Sequence, residues 1–264
     1  MKRFLSKFNN KKNLLILSLA VLAAALTLLF WLKTIFFKPE EIARAKVAIV
    51  LDDWGYNLRY LNLLEEIDAP LTISILPNLR YSSKIAEIAK DSGKEVILHL
   101  PLEPEREGRT IRLEEYTIIT GMPEDEVRGN FARAISCVPY ICGVSNHMGS
   151  RATKDNRLMS LIFAELKKRD LFFLDNLVTE ESICRQLAGS MKVKFVSRDF
   201  FLDNLDDYEY IKKQFRKLCE SAEKFGQAVG IGHAKRTTLK MLKEEIPLMQ
   251  AKGIKFVFVS DLVK

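Results

Sequence analysis

The stretch Val47-Ala48-Ile49-Val50-Leu51-Asp52-Asp53-Trp54-Gly55 decides the fold of this 264-residue chain. Five consecutive apolar residues are typical of a strand that is covered on both faces, as in a parallel sheet. The pair Asp52-Asp53 stands where this strand ends. In barrels of alternating strands and helices, the active residues gather at the carboxyl ends of the strands. The stretch therefore predicts a strand with two functional carboxylates at its end.

Short apolar runs separated by helical periodicity continue to the end of the chain. Further strand-like runs are Leu71–Leu76, Glu95–Leu100, Gly143–Asn146, Leu171–Leu174, Lys194–Val196 with Phe200–Leu202, Gln227–Ile231 and Lys255–Val259. Helical patterns occupy Ser82–Asp91, a segment opened by Pro123, Asn156–Arg169, Tyr208–Phe225 and Thr237–Gln250. This alternation predicts an α/β fold with a mostly parallel sheet or barrel. The pattern alone does not distinguish a closed barrel from an open sheet.

All three histidines of the chain follow strand-like runs. His99 and His233 end apolar runs directly, and His147 follows Gly143-Val144-Ser145-Asn146. If these runs are parallel strands, two carboxylates and three imidazoles meet at one edge of the sheet. That set is enough to bind a divalent metal and to leave an acid and a base. A single histidine at a strand end is more often structural, so the prediction depends on the joint pattern.

Residues 13–32 form an uncharged, almost wholly apolar stretch that is long enough to cross a bilayer core as a helix. The preceding residues are basic at five positions and acidic at none, which predicts a cytoplasmic amino terminus. A cleaved signal peptide is the alternative. Its apolar region is normally shorter and ends at a small-x-small site, whereas this run ends in Phe30-Trp31-Leu32. We therefore expect a single-pass anchor in the cytoplasmic (inner) membrane and an extracytoplasmic domain.

The expected organisation is a basic tail (1–12), the anchor helix (13–32), a stalk (33–44) and one domain (45–264). The net charge of +7 comes from the first 38 residues, which hold seven basic residues and no acidic ones. The other 34 basic residues are balanced by 34 acidic ones. A nucleic-acid-binding domain would carry a basic excess, so nucleic acid is not an expected partner. The basic tail suits anionic lipid headgroups instead.

The four cysteines, Cys137, Cys142, Cys184 and Cys219, lack the spacing of a metal finger. A bridge between Cys137 and Cys142 is one possibility outside the cytoplasm. Buried free thiols are the other interpretation, and the one we favour, because unpaired cysteines are often fully buried.

Four motifs in the domain resemble the ordered signatures of a known family. They are Ile49–Tyr56 (IVLDDWGY), His99–Pro104 (HLPLEP), Asn146–Arg151 (NHMGSR) and Gly230–His233 (GIGH). These resemble the divergent polysaccharide deacetylase family, a branch of the carbohydrate deacetylase superfamily. The resemblance covers roughly residues 45–264 and implies a distorted (β/α) barrel of about seven strands. It also implies metal-dependent removal of N-acetyl groups from an amino-sugar polymer, which here would be a glycan of the cell envelope.

The resemblance implies residue roles motif by motif. Asp52 matches the superfamily's base, Asp53 a metal ligand, and His233 the late histidine that acts as the acid. The superfamily also places two histidines four residues apart, but this chain has His99 and Glu103. Glu103 is then either a third ligand or, as we favour, a hydrogen-bond acceptor that holds a ligand histidine.

In the favoured arrangement His147 supplies the missing imidazole. Asp53, His99 and His147 would bind the metal and leave a position for water, as in catalytic zinc sites. Mixed nitrogen and oxygen ligands favour zinc without excluding other first-row divalent ions. Three further charged residues follow strand-like segments and are candidates for binding substrate or orienting the ligands, with structural ion pairs as the alternative: Arg151, Asp175 and Asp199.

Two other functional classes stay open. A non-catalytic metal- or glycan-binding envelope protein on a degenerate deacetylase fold is motivated by the change from histidine to Glu103. A metal-dependent hydrolase of a peptide amide or phosphoester is less favoured, since the chain has no Gly-rich phosphate loop. No Gly-x-Ser-x-Gly sequence is present, which argues against a serine hydrolase. The sequence determines neither the polymer nor the oligomeric state.

Overall fold

The computed structural model describes residues 15–29, 31, 45–105 and 112–264. The chain divides into two units between residues 42 and 43. In the first unit, residues 15–29 are helical and their side chains are exposed. Among the described residues, no helix combines the length and apolarity that crossing a membrane requires. The predicted basic tail (1–12) and stalk (33–44) lie outside the described residues.

The second unit is built on a single sheet of parallel strands. The strands are β1 (Ala45–Trp54), β2 (Thr72–Ile75), β3 (Glu95–Leu102), β4 (Gly143–Met148), β5 (Phe172–Asp175), β6 (Phe195–Ser197), β7 (Phe200–Phe201), β8 (Gln227–His233) and β9 (Ile254–Val257). Their order is β6-β5-β4-β3-β2-β1-β8-β7, and β9 also pairs with the first half of β1. Each strand-like run of the sequence overlaps at least one of these strands, so the predicted parallel α/β fold is confirmed.

The described residues contain nine strands, whereas the resemblance implied about seven. One of the additional strands arises because the run 194–202 is divided into β6 and β7 by Arg198-Asp199. β6 and β7 are also the two ends of the strand order, although only these two residues separate them. The sheet must therefore curl until its ends are neighbours. The resulting barrel has a seam, because no ladder joins β6 to β7 within the described strands.

Helices cover the outside of this barrel. They are α1 (Leu61–Glu65), α2 (Ser82–Asp91), α3 (Glu124–Ser136), α4 (Asn156–Lys168), α5 (Cys184–Met191), α6 (Tyr208–Phe225) and α7 (Arg236–Gln250). Asp155 and Asp207 cap α4 and α6 by accepting backbone N–H groups of the first turn. α6 ends at Gly226, whose φ of 88° favours glycine. The sequence does not predict α1 and α5, which are too short to show helical periodicity.

All four cysteines are free thiols, so the alternative of a Cys137–Cys142 bridge is not found. Cys184 and Cys219 are buried. Burial raises the pKa of each of these two thiols to about 12, which makes them inert packing residues rather than nucleophiles.

Successive side chains along each strand point to opposite faces of the sheet. This alternation separates two apolar cores and determines where the site lies. Val47, Ile49 and Leu51 of β1 belong to the larger core beneath the helices, whereas Ala48 and Val50 pack inside the barrel. One further step along the same alternation brings three polar residues onto the inner face at the carboxyl edge of the sheet: Asp52, His99 and His233.

Candidate metal and catalytic site

A β-bulge at the end of β1 brings both aspartates to the site. Leu51 pairs with Ile73 and Trp54 with Ile75, so β1 has one residue more than β2 over this interval. Asp53 has a φ of 63°, a left-handed conformation that is uncommon for residues other than glycine. On a regular strand Asp52 and Asp53 would face opposite sides of the sheet. The bulge allows both carboxylates to approach the histidines.

Asp53, His99 and His147 bring three ligand atoms together. Oδ1 of Asp53 lies 3.1 Å from Nδ1 of His147 and 3.3 Å from Nε2 of His99. The two ring nitrogens are 3.2 Å apart, and the three ligand atoms lie within 4.8 Å of one another. Burial acts to raise the pKa of Asp53, but the imidazoles of His147 and His99 outweigh it and hold that pKa well below its usual range.

These three residues fit a divalent metal. Oδ1 of Asp53 is buried and has no hydrogen-bond partner among the described residues, although two imidazoles lie beside it. A buried anionic oxygen in that position suits a cation better than a hydrogen bond. One carboxylate and two imidazoles are also a donor set that zinc and related ions take in proteins.

A chain of serine hydroxyls orients the ring of His99. Oγ of Ser145 lies 2.8 Å from Nδ1 of His99, and Oγ of Ser74 lies 2.8 Å from that of Ser145. Both serines are completely buried. Because Nδ1 is engaged, Nε2 is the nitrogen that faces Asp53. Neither serine was predicted to belong to the site; their inward positions on β2 and β4 are the signal that would have indicated it.

Glu103 makes its contacts apart from the three ligand atoms. Its Oε2 accepts hydrogen bonds from the backbone N–H of Thr120 at 2.7 Å and from the Thr120 hydroxyl at 2.5 Å, and its Oε1 lies 3.5 Å from Arg151. It is not part of the Asp53–His99–His147 group found among the described residues. The reason is that β3 stays extended to Leu102, so four residues along it span roughly 13 Å, too far for His99 and Glu103 to share one ion.

Asp52 is buried beside the metal group and keeps a free oxygen. Its Oδ2 lies 3.7 Å from Nε2 of His99 and accepts a 2.7 Å hydrogen bond from Nδ2 of Asn176. Its Oδ1 has no partner in the described part of the chain, and neither does Oδ1 of Asn176. Burial raises the pKa of Asp52. A buried carboxylate with one unpaired oxygen is suited to accept a proton.

Asn146 and Arg198 hold the turn that carries Asn176. Oδ1 of the fully buried Asn146 accepts the backbone N–H of Asn176 at 2.9 Å. Nε of Arg198 donates to the carbonyl of Asn176 at 2.7 Å, and its Nη2 donates to that of Leu177 at 2.9 Å. The guanidinium also lies 3.8 Å from the ring centre of Phe201. The position of Asn176, and hence of its bond to Asp52, is therefore strongly determined.

His233 lies on the other side of Asp53, paired with Asp203. Nδ1 of His233 lies 2.7 Å from Oδ1 of Asp203, and its Nε2 lies 3.9 Å from Oδ2 of Asp53. Oδ2 of Asp203 accepts the backbone N–H of His233 at 2.8 Å and the hydroxyl of Thr238 at 2.7 Å. Burial acts to lower the pKa of His233, but Asp203 outweighs it, so the pKa is raised. Sequence reasoning missed Asp203, although it follows the run Phe200–Leu202 directly.

The other predicted charged residues are engaged elsewhere. Asp175 accepts hydrogen bonds from the backbone N–H of Leu177 at 2.9 Å and from the hydroxyl of Ser182 at 2.6 Å. Asp199 accepts the backbone N–H of Val229 at 2.7 Å, four residues before His233. Burial raises the pKa of both carboxyls. These contacts hold loops and strands, as does the pairing of Arg151 with Glu103, and they match the alternative of structural residues.

A cavity of about 440 Å³ opens beside the site. Its lining includes Asp53 and His233, together with Tyr56, Arg59 and Lys235. Tyr56 is 49% exposed, and its hydroxyl donates to Glu114 at 2.6 Å. An open cleft next to two reactive groups suits an extended ligand.

Residues 49–263 match the family model described as divergent polysaccharide deacetylase. Two bacterial proteins are similar in sequence. An uncharacterized protein of Haemophilus influenzae is 29% identical over 210 residues, which cover 80% of this chain and 74% of that protein. The uncharacterized protein YibQ of Escherichia coli is 30% identical over 207 residues, which cover 78% of this chain and 64% of YibQ. The chain thus matches somewhat less than two thirds of the length of YibQ.

Several solved structures share the fold. The uncharacterized protein ATU2773 from Agrobacterium tumefaciens is 23% identical, with a TM-score of 0.78 over 83% of this chain and 89% of that one. The Bc1960 peptidoglycan N-acetylglucosamine deacetylase is 16% identical, with a TM-score of 0.50 over 82% and 86%. A mutant of BA3943, described as a CE4 family pseudoenzyme with restored enzymatic activity, is 13% identical, with a TM-score of 0.51 over 83% and 67%. At such identities the likeness concerns the fold alone.

Proposed function

Because the chain belongs to the divergent polysaccharide deacetylase family, we propose that it is a metal-dependent hydrolase that removes N-acetyl groups from an amino-sugar polymer of the cell envelope. One observation carries this proposal. The ligand atoms of Asp53, His99 and His147 converge next to a buried carboxylate on one side and a histidine–aspartate pair on the other. Side chains that could hold a metal, accept a proton and donate a proton thus lie at one edge of the sheet.

The metal would be held by Asp53, His99 and His147, and we propose zinc for this donor set. When bound, such an ion polarises an amide carbonyl and makes a water molecule more acidic. The buried position of His99 and its contact with Ser145 would keep the ligand geometry fixed.

Asp52 and His233 would move the protons. Asp52 takes the proton of the attacking water on its unpaired Oδ1, while Asn176 keeps the carboxylate oriented through Oδ2. His233 gives a proton to the departing amine nitrogen from Nε2, because Asp203 engages Nδ1 and favours the charged ring. Water thus adds to the acyl carbon, the C–N bond breaks, and acetate and a free amino sugar are released.

The apolar segment 13–32 would anchor the protein in the cytoplasmic membrane, with the hydrolase domain outside. Support comes from the uncharged composition of this segment and from the basic residues before it. The large apolar side chains described within residues 15–29 are exposed, as expected for side chains that contact lipid. This placement would give the domain access to an envelope glycan.

Metal analysis combined with acetate release tests the proposal. The purified full chain is assayed on peptidoglycan fragments and on chitooligosaccharides, with and without a chelator. We expect about one metal ion per chain and acetate release that disappears with the chelator and in Asp53→Ala. Asp155→Ala, which removes a helix cap outside the site, serves as the control that should retain release. Metal-replete protein that releases no acetate from any of these glycans contradicts the proposal.

That contradictory outcome would favour a second function, a non-catalytic metal- or glycan-binding envelope protein. The observation behind it is Glu103, which replaces the second superfamily histidine and is held on Thr120 and Arg151 instead of facing the metal group. The fold tolerates loss of activity, since BA3943 is described as a pseudoenzyme. Stoichiometric metal without turnover is the expected result for this alternative.

A further inference from the structure

Two bulky apolar residues next to the site have left-handed backbones. Met148 directly follows His147 and has a φ of 55°, and Leu177 directly follows Asn176 and has a φ of 49°. Both residues are 39% exposed. This conformation disfavours any residue with a Cβ, and glycine or asparagine is the usual choice for it. Neither backbone preference nor burial therefore explains why methionine and leucine stand at these positions.

The surrounding structure enforces both conformations. The carboxamide of Asn146 donates to the carbonyl of Met148 at 2.7 Å and accepts the N–H of Asn176 at 2.9 Å, so the two turns are neighbours. Arg198 donates to the carbonyl of Leu177 at 2.9 Å. Unfavourable backbone geometry that is fixed from several sides next to a reactive site is a reason to look for a function of the side chains it presents.

The position of His233 determines on which side of the site an acyl group would lie. This step rests on the proposed function, in which His233 of β8 faces the amide nitrogen. The acyl substituent is on the other side of the carbonyl carbon from that nitrogen, so it extends away from β8. Because the sheet curls until β6 and β7 are neighbours, β4 lies opposite β8 in the ring of strands, and β5 lies next to β4. Met148 ends β4, and Leu177 and Val178 follow β5.

We propose that Met148, Leu177 and Val178, here called the apolar rim, form a subsite for the acyl chain and that the protein hydrolyses N-acyl groups longer than acetyl. An enclosed pocket would limit the acyl group to a methyl. The apolar rim is open instead, since Val178 is also 37% exposed, and longer chains can lie across it. The reaction stays a hydrolysis: water supplies a hydroxyl to the acyl carbon and a proton to the nitrogen, which gives a longer carboxylic acid and a free amine.

The size of the effect follows from the hydrophobic contact. Each additional methylene that is partly or fully removed from water increases kcat/KM about two- to fourfold. Two additional methylenes, as in butyryl, should then give about a four- to sixteenfold preference over acetyl. The sugar would lie on the opposite side, in the cavity lined by Tyr56 and His233.

The test uses the full chain in detergent, loaded with zinc, and chitotetraose carrying N-acetyl, N-butyryl or N-hexanoyl groups. Release of free amine gives kcat/KM for each acyl length. We expect the longer chains to be preferred, and the butyryl-to-acetyl ratio to fall to about one in Met148→Asn combined with Leu177→Asn. Asparagine is chosen because it tolerates a left-handed backbone, so these variants should fold. Leu248→Asn, an exposed leucine on α7 outside the site, is the matched control and should keep the ratio.

A second readout is independent of turnover. With methyl-labelled methionine, the NMR signal of Met148, identified by its loss in Met148→Asn, should shift more with N-hexanoylglucosamine than with N-acetylglucosamine. Turnover of the acetyl substrate with no gain from longer chains would overturn the acyl subsite and leave the proposed function standing. Absence of turnover on every substrate would count against the proposed function. The NMR signal of Met148 then tests the acyl subsite by itself, and an equal shift with both sugars overturns that subsite.

Discussion

Replacing Asn176 by alanine tests the arrangement around the proposed base. Nδ2 of Asn176 donates the 2.7 Å hydrogen bond that orients Asp52, whose other oxygen is unpaired among the described residues. Hydrogen bonds to charged groups contribute about 1.5–3 kcal/mol. If this bond acts in the reaction rather than in folding, its loss should lower kcat by about 10- to 150-fold, since 1.36 kcal/mol corresponds to a tenfold change in rate.

The same change should alter the pH dependence in a defined direction. Asp52 acts as a base only when it is ionised, and the hydrogen bond from Asn176 stabilises the ionised form. Asn176→Ala should therefore raise the pKa of Asp52 above its already raised value, and move the acidic limb of the kcat profile to higher pH. KM and the metal content should change little, because Asn176 is not among the metal-group residues.

Steady-state kinetics, metal analysis and thermal unfolding together separate this role from a structural one. Asn130→Ala is the matched control, because Asn130 also uses its carboxamide in side-chain hydrogen bonds but lies on α3 outside the site. A merely structural Asn176 would lower Tm and leave kcat and the acidic limb unchanged. That result, in protein that retains its metal, would refute the reasoning about the base.

Four further outcomes are expected. His147→Ala should lose most of its bound metal while the fold survives, because one of three ligands to an ion whose total binding energy is about 10–16 kcal/mol would be missing; elemental analysis checks this, and full occupancy would exclude His147 as a ligand. Glu103→Gln should keep its metal in the same analysis, since the carboxylate contacts Thr120; a metal-free protein would return Glu103 to the ligand set. Asp203→Asn should remove the charge that raises the pKa of His233, so the basic limb of the pH–rate profile should move to lower pH, and an unmoved limb argues against His233 as the acid. A reporter that is active only outside the cytoplasm, fused after residue 264, should be active; a silent reporter, or a mature chain that starts beyond residue 30, contradicts the anchor.

The sequence was sufficient to predict the sheet and the edge of the sheet at which the site lies. Continuous apolar runs mark strands that are covered on both faces, and the carboxyl ends of parallel strands share one edge, so Asp52, Asp53 and the three histidines could be expected near one another. The structure brings these five residues together, and their chemical roles remain our proposals. The bulge at Asp53 was not predictable from alternation, which places the two neighbouring carboxylates on opposite faces.

The residues that the sequence did not reveal depend on contacts across the barrel. Asn176 meets Asp52 although 124 positions separate them, and nothing local distinguishes it from Asp175 before it. Asp203 and Asp199 flank the same short strand, and only the register with β8 decides that Asp203 meets His233. Glu103 lies apart from the three ligand atoms for a local reason: the strand continues past His99, so a spacing of four residues does not bring the two side chains together.

The seam of the barrel, between β6 and β7, connects the stability of the barrel wall with the proposed chemistry of the site. The backbone N–H of Arg198 is bonded to Asp175 on one side, and that of Asp199 to Val229 on the other. The wall can therefore open locally at Arg198-Asp199 when these separate hydrogen bonds break, whereas longer, uninterrupted ladders join β1 to β8, β2 to β3 and β3 to β4. Amide hydrogens here should exchange with solvent sooner than those of β1 or β8. The Arg198 side chain also holds the turn that carries Asn176. Each such opening would therefore release Asp52, the proposed base, from its alignment, and the site would be active only while the seam is closed.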